Sequence, residues 1–61
     1  MKLSVALSKD DIVLAYCIDK EIEETAGSKI VVREIDEETA HNIARATSSN
    51  VRIALLREAI K

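Results

Sequence analysis

A chain of 61 residues is a single domain, 1–61, and at this size it hides only about 60% of the surface its unfolded form exposes. The lone Cys17 excludes an internal disulfide and a cysteine-rich zinc site, so of the usual staples of a small domain oligomerisation is the one left. The formal charge of −2 divides into −3 over residues 1–27 (three Lys against six Asp/Glu) and +1 over residues 28–61 (six Lys/Arg against five). No segment is basic enough to support non-specific nucleic-acid binding, and Tyr16 is the only aromatic on which a base could stack.

At the start, Met1-Lys2-Leu3-Ser4 opens no apolar stretch long enough for a signal peptide, and no run approaches the roughly 18 apolar residues of a membrane span. A soluble cytoplasmic protein with no membrane partner is expected, in keeping with an unpaired cysteine in a reducing compartment. Leu3, Val5 and Leu7 then alternate with Lys2, Ser4 and Ala6, the period of a half-buried strand over 2–7. Ser8 followed by Lys9-Asp10-Asp11 reads as an N-cap with acids in the first turn, and predicts a helix over about 9–25. Ile12, Ala15, Tyr16, Ile18 and Ile22 fall near helical spacing, Val13, Leu14 and Cys17 widen that stripe, and Gly27 stands where a left-handed C-cap is wanted.

Residues 29–35 are rich in β-branched side chains and predict a second strand, apolar on both faces at its start. Asp36 caps the next helix, with Glu37 and Glu38 in its first turn. Ala40, Ile43, Ala44, Thr47, Val51, Ala54 and Leu55 keep helical spacing and predict one long helix to about residue 60, with Thr47-Ser48-Ser49-Asn50 as its weak point, because these side chains compete for backbone hydrogen bonds and a break there would make two short helices. The fold class expected is α/β (α+β), a small two-layer β-α-β-α domain with a right-handed crossover. Its two-stranded sheet would be completed by oligomerisation.

Chemistry is sparse. Nucleophilic catalysis needs a nucleophile, a base and an orienting group. Cys17 among Ala15, Tyr16 and Ile18 reads as a small buried hydrophobe with nothing nearby to stabilise its thiolate, and His41 reads as a solvated or capping residue. One His and one Cys are too few soft ligands for a metal, Glu21, Glu23 and Glu24 lack the pattern of a calcium loop, and one glycine makes no phosphate-cradling loop. No catalytic residue, cofactor or metal site is therefore expected. Partner binding is expected on the second helix: Val51, Ile53, Leu55, Leu56 and Ile60 surround more of its circumference than a thin sheet covers. In an unbroken helix Arg45, Ser49 and Arg52 share a face beside that stripe, either as solvated charge framing a core or as the polar rim of a protein interface.

The run Ile30-Val31-Val32-Arg33-Glu34-Ile35-Asp36-Glu37-Glu38, followed by Arg45-Ala46, Ser49-Asn50 and Arg52, resembles the small Pcc-type dimerisation subunits of the KEOPS complex, mainly over residues 29–60. The resemblance implies a non-catalytic accessory subunit of a machine that makes threonylcarbamoyladenosine on tRNA. Its chemistry would belong to an ATPase-like partner, its dimer would be homo- or heteromeric, and its association with tRNA indirect. A second reading of residues 29–61 is ribbon-helix-helix: a strand, a helix to Ala46, a turn through Ser48-Ser49-Asn50 and a second helix, as in small dimeric DNA-binding transcriptional regulators.

Overall fold

The computed structural model describes residues 1–24 and 26–61. Its elements run β1 (Lys2–Ser8), β2 (Val13–Ile18), β3 (Ser28–Glu34), α1 (Glu37–Arg45) and α2 (Ser49–Ala59). The three strands form one antiparallel sheet in the order β2-β1-β3, and both helices follow it in the chain. The α+β class expected is found, with β1 and β3 within a residue of their predicted bounds.

The helix expected over 9–25 is not formed; a β-hairpin takes its place, and with it goes the β-α-β crossover. The physical reason lies in residues 8–12. The Ser8 hydroxyl accepts from the backbone N–H groups of Asp10 and Ile12 at 3.2 and 3.1 Å, much as a helix cap would. Here, however, the Asp11 N–H closes on the Ser8 carbonyl at 2.9 Å, Asp11 turns left-handed (φ 61°), and the Ser8 N–H returns to the Ile12 carbonyl. That is a hydrogen-bonded turn closed by a left-handed residue, the arrangement of a three-residue hairpin loop. Val13–Ile18 is then a continuous apolar run of strand length, whose period alone does not separate helix from strand. Thr25, the last residue of the expected helix, lies outside the described residues. Gly27 adopts φ 82° in the turn leading into β3 instead of closing a helix.

Register decides the two faces. Leu3, Val5 and Leu7 stand opposite Ile18, Tyr16 and Val13 on one side and Arg33, Val31 and Lys29 on the other. This inner face meets the helices, and Leu3, Val5, Leu7, Ile43 and Leu56 form the buried core. Leu14 is the extra residue of a bulge near Ala6 and Leu7. The outer face carries Ser4, Ala6, Ala15, Cys17, Ile30 and Val32. Ser4 is fully buried there, its hydroxyl donating to the Lys20 carbonyl at 3.2 Å as residues 20–22 fold across the sheet.

The one long helix expected to about residue 60 is instead two, broken at the start of its weak point, while Ser49 and Asn50 belong to α2. Ala46 is extended at the end of α1 and Ser48 is extended before α2, so Ala46, Thr47 and Ser48 turn the chain. Asp36 caps α1 as expected: its carboxylate accepts from the Thr39 N–H at 2.8 Å. This bond, after the larger effect of the Thr39 side chain, holds the Asp36 carboxyl below its ordinary value.

Candidate functional site

The break changes what the second helix offers. Leu56, expected at an interface, is 1% exposed in the core, because α2 crosses the sheet and sets it against β1. Leu55 and Ile60 pack against the same cluster, Ile53 is half-buried, and Val51 alone of the five stays largely open at 53% exposed. The apolar circumference that implied a second chain is in large part covered inside the domain, where the break folds α2 against α1 and across the sheet.

Arg45, Ser49 and Arg52 do not share a helix face, since Arg45 ends α1 and Ser49 begins α2. Arg45 donates to the Asn42 side chain at 2.9 Å, and Ser49 is exposed. Arg52 turns inward. Its Nε donates to the Ile43 carbonyl at 3.3 Å, which also accepts from the Ala46 N–H, and its Nη2 donates to the Ala46 carbonyl at 2.6 Å beyond the last turn of α1. Its guanidinium also stands 5.9 Å from the centre of the Tyr16 ring, within reach of a cation–π contact. Arg52 is thus a brace between the two helices and β2.

Other residues compose the exposed surface. Ile12 and Leu14 are 55% and 57% exposed beside β2, and Val32 is exposed on the outer face of β3. Ile12 and Leu14 were read into an apolar helix stripe; the hairpin places them on an open border instead. Between β3 and the end of α2 lies a groove of about 490 Å³. Its floor is Leu7, Val31 and Ile60, and Lys29, Arg33, Arg57 and Lys61 stand around it with Asp11 as the one acid. The sequence holds a signal for this site that patterning for a core passes over: Lys29-x-Val31-x-Arg33 is an alternation that puts both cations on one strand face, and Arg57 and Lys61 are four apart at the end of a helix.

No family model, curated protein or solved structure matches this chain. Cys17 is half-buried on the outer face of the sheet, and His41 is exposed on α1, which lies on the inner side, so the sheet stands between the two reactive side chains. No group of three or more metal-ligating side chains is found among the described residues. No helix among them is long and apolar enough to cross a membrane.

Proposed function

We propose that this chain is a non-catalytic protein-interaction module, and that it pairs with a second copy of itself along β2. The observation that carries the proposal is the difference between the two sheet edges. Among the described residues neither β2 nor β3 has a second strand neighbour. An exposed edge is a template for pairing, and monomeric proteins guard theirs with charge, proline or irregularity. Val13–Ile18 contains no charged residue, and its border carries exposed Ile12 and Leu14; the bulge at Leu14 leaves Ala15–Ile18 regular. By contrast, a second β3 aligned antiparallel about Val31 would set Lys29 against the partner's Arg33, like charges on one face.

Antiparallel pairing along β2 also fits the charge distribution. One end of the sheet is formed by Lys2, Asp19, Glu21 and Glu34 and leads into Asp36, Glu37 and Glu38, while the opposite end carries Lys9 and Lys29 beside Asp10 and Asp11. A twofold copy sets the acidic end of one chain beside the more basic end of the other. A standard interface needs about 800 Å² from each partner. That is under a fifth of this chain's 4361 Å². Sedimentation equilibrium should find a dimer, and Leu14→Lys should weaken it at least about tenfold, or about 1.4 kcal/mol. Glu23→Lys, away from the strand, should not. A chain that stays monomeric at millimolar concentration, or a Leu14→Lys dimer as tight as the original, rules out this pairing.

Within the same class, an accessory subunit of a KEOPS-type assembly is the specific member that Arg45-Ala46, Ser49-Asn50 and Arg52 suggest, and co-purification with an ATPase-like subunit is its test. The ribbon-helix-helix reading has the order β3, α1, α2 in its favour. Against it, β3 already pairs with β1, and its outer face presents Ile30 and Val32, which offer no hydrogen bonds to base edges. Loss of binding to duplex DNA as salt rises would be its signature; the docking reading expects no such complex.

A further inference from the structure

We infer that the groove between β3 and the end of α2 is a second binding site, for an extended acidic segment of a partner protein laid beside β3. Four of the chain's nine basic side chains stand around this groove with one acid, in a protein whose net charge is −2. Such a concentration creates a local field opposite in sign to that of the molecule, which attracts and orients an anionic partner. The charges are available. Lys29 meets Asp11 at 3.2 Å and Lys61 meets Glu58 at 3.3 Å, but all four of these side chains are more than half exposed. Ion pairs of that kind contribute little and exchange readily for another carboxylate. Among the described residues Arg33 and Arg57 have no ion pair.

Two features select a peptide over a nucleic acid. The floor is aliphatic, Leu7, Val31 and Ile60, where a single strand would want aromatic rings to stack on, and the one aromatic, Tyr16, is occupied by Arg52 above β2. The flank of the groove is the free edge of a seven-residue strand, whose backbone groups pair with an extended chain and whose alternate positions present Lys29 and Arg33 to every second side chain of the guest. An acidic guest turns the feature that keeps β3 from its own copy, Lys29 against Arg33, into complementarity. This site lies across the sheet from β2, so it does not depend on the dimer.

The test is titration of the labelled full chain, followed by backbone amide resonances, with a seven-residue peptide of alternating glutamate and valine, its lysine–valine counterpart, and an oligothymidine of matched charge. Saturable shifts centred on Lys29, Val31, Arg33, Arg57 and Lys61 are expected with the acidic peptide and none with the basic one. Affinity should fall as salt rises, and at least about tenfold in Arg33→Glu with Arg57→Glu, a pair of surface changes that should leave the far-ultraviolet spectrum and the dimer constant alone. Shifts centred on β2, tighter binding of the oligothymidine than of the peptide, or equal affinity of the double variant would each overturn the assignment. Failure here with the β2 dimer intact would count against the groove alone.

Discussion

β2 and β3 flank the same central strand and end up with opposite surface chemistries. Opposite β1, each supplies three inner-face residues: Val13, Tyr16 and Ile18 from β2, and Lys29, Val31 and Arg33 from β3. All three on the β2 side pack against the core cluster, while on the β3 side Val31 does and the two cations flank it at a groove. Helix α2 explains the difference. Near its start Arg52 reaches over Tyr16 on β2, and at its end Arg57, Ile60 and Lys61 border the groove beside β3. A single helix crossing three strands covers one edge and leaves a channel at the other. The lesson is that one helix laid across so small a sheet leaves its two borders chemically different, one apolar and one charged.

The largest effect that would break this comparison is in the core that both borders share. Leu56→Ala removes a side chain that is 1% exposed and belongs to the core cluster formed with Leu3, Val5 and Leu7 of β1 and Ile43 of α1. Cavity-forming changes of this kind cost about 2–5 kcal/mol. For a domain of this size that is a large share of the total. Urea unfolding should show the loss, and hydrogen exchange should show both edge strands losing protection together.

Arg52→Met is the next in size and separates the two borders. The methionine keeps the length of the side chain but leaves the Ile43 and Ala46 carbonyls without their charged donor and removes the contact with Tyr16. Bonds to a charged donor contribute about 1.5–3 kcal/mol, and partial exposure to solvent brings the expected cost to about 1–2 kcal/mol. Exchange should quicken at Tyr16, Cys17 and Ile18 more than at Val31. Equal acceleration on both strands would mean that Arg52 supports the fold as a whole and not the β2 side.

Legibility from sequence followed how far a local signal has only one meaning. β1 was readable because Leu3, Val5 and Leu7 alternate strictly, and the Asp36 cap because its acids and apolar spacing agree. A weak point at 47–50 was readable from hydroxyl and amide side chains in a helical stripe, but not that the long helix would part there, at 46–48. β2 was not, because Ser8 with Asp10 and Asp11 suits a helix cap and a hairpin turn alike, and a six-residue apolar run has no decisive period. The candidate site was misplaced because the break lets α2 cross the sheet, so that Leu56 lies in the core with β1 and Ile60 beside Leu7 and Val31. The basic groove was beyond reach for another reason, since Lys29 and Arg33 come to Arg57 and Lys61 only once the path of α2 over the sheet is known.

The smallest effect concerns the junction where β3 passes into α1, and it has no counterpart on β2. The hydrogen bonds from Thr39, its side chain first and then its backbone N–H, hold the Asp36 carboxyl below its ordinary value of 3.8. A carboxyl whose value is lowered by folding stabilises the folded state fully above the unfolded value, and that contribution is lost as the pH falls through the lower, folded one. The window therefore lies at and below about 3.8, and neutral pH is unaffected. Asp36→Asn isolates the charge, because asparagine caps about as well as aspartate but does not titrate. At neutral pH the aspartate form should melt higher, as its negative charge faces the positive end of α1. As acid is added the two melting temperatures should converge, with the other carboxyl groups cancelling in the comparison. A gap that stayed constant down to pH values well below 3.8 would show that the charge of Asp36 contributes nothing to the start of α1.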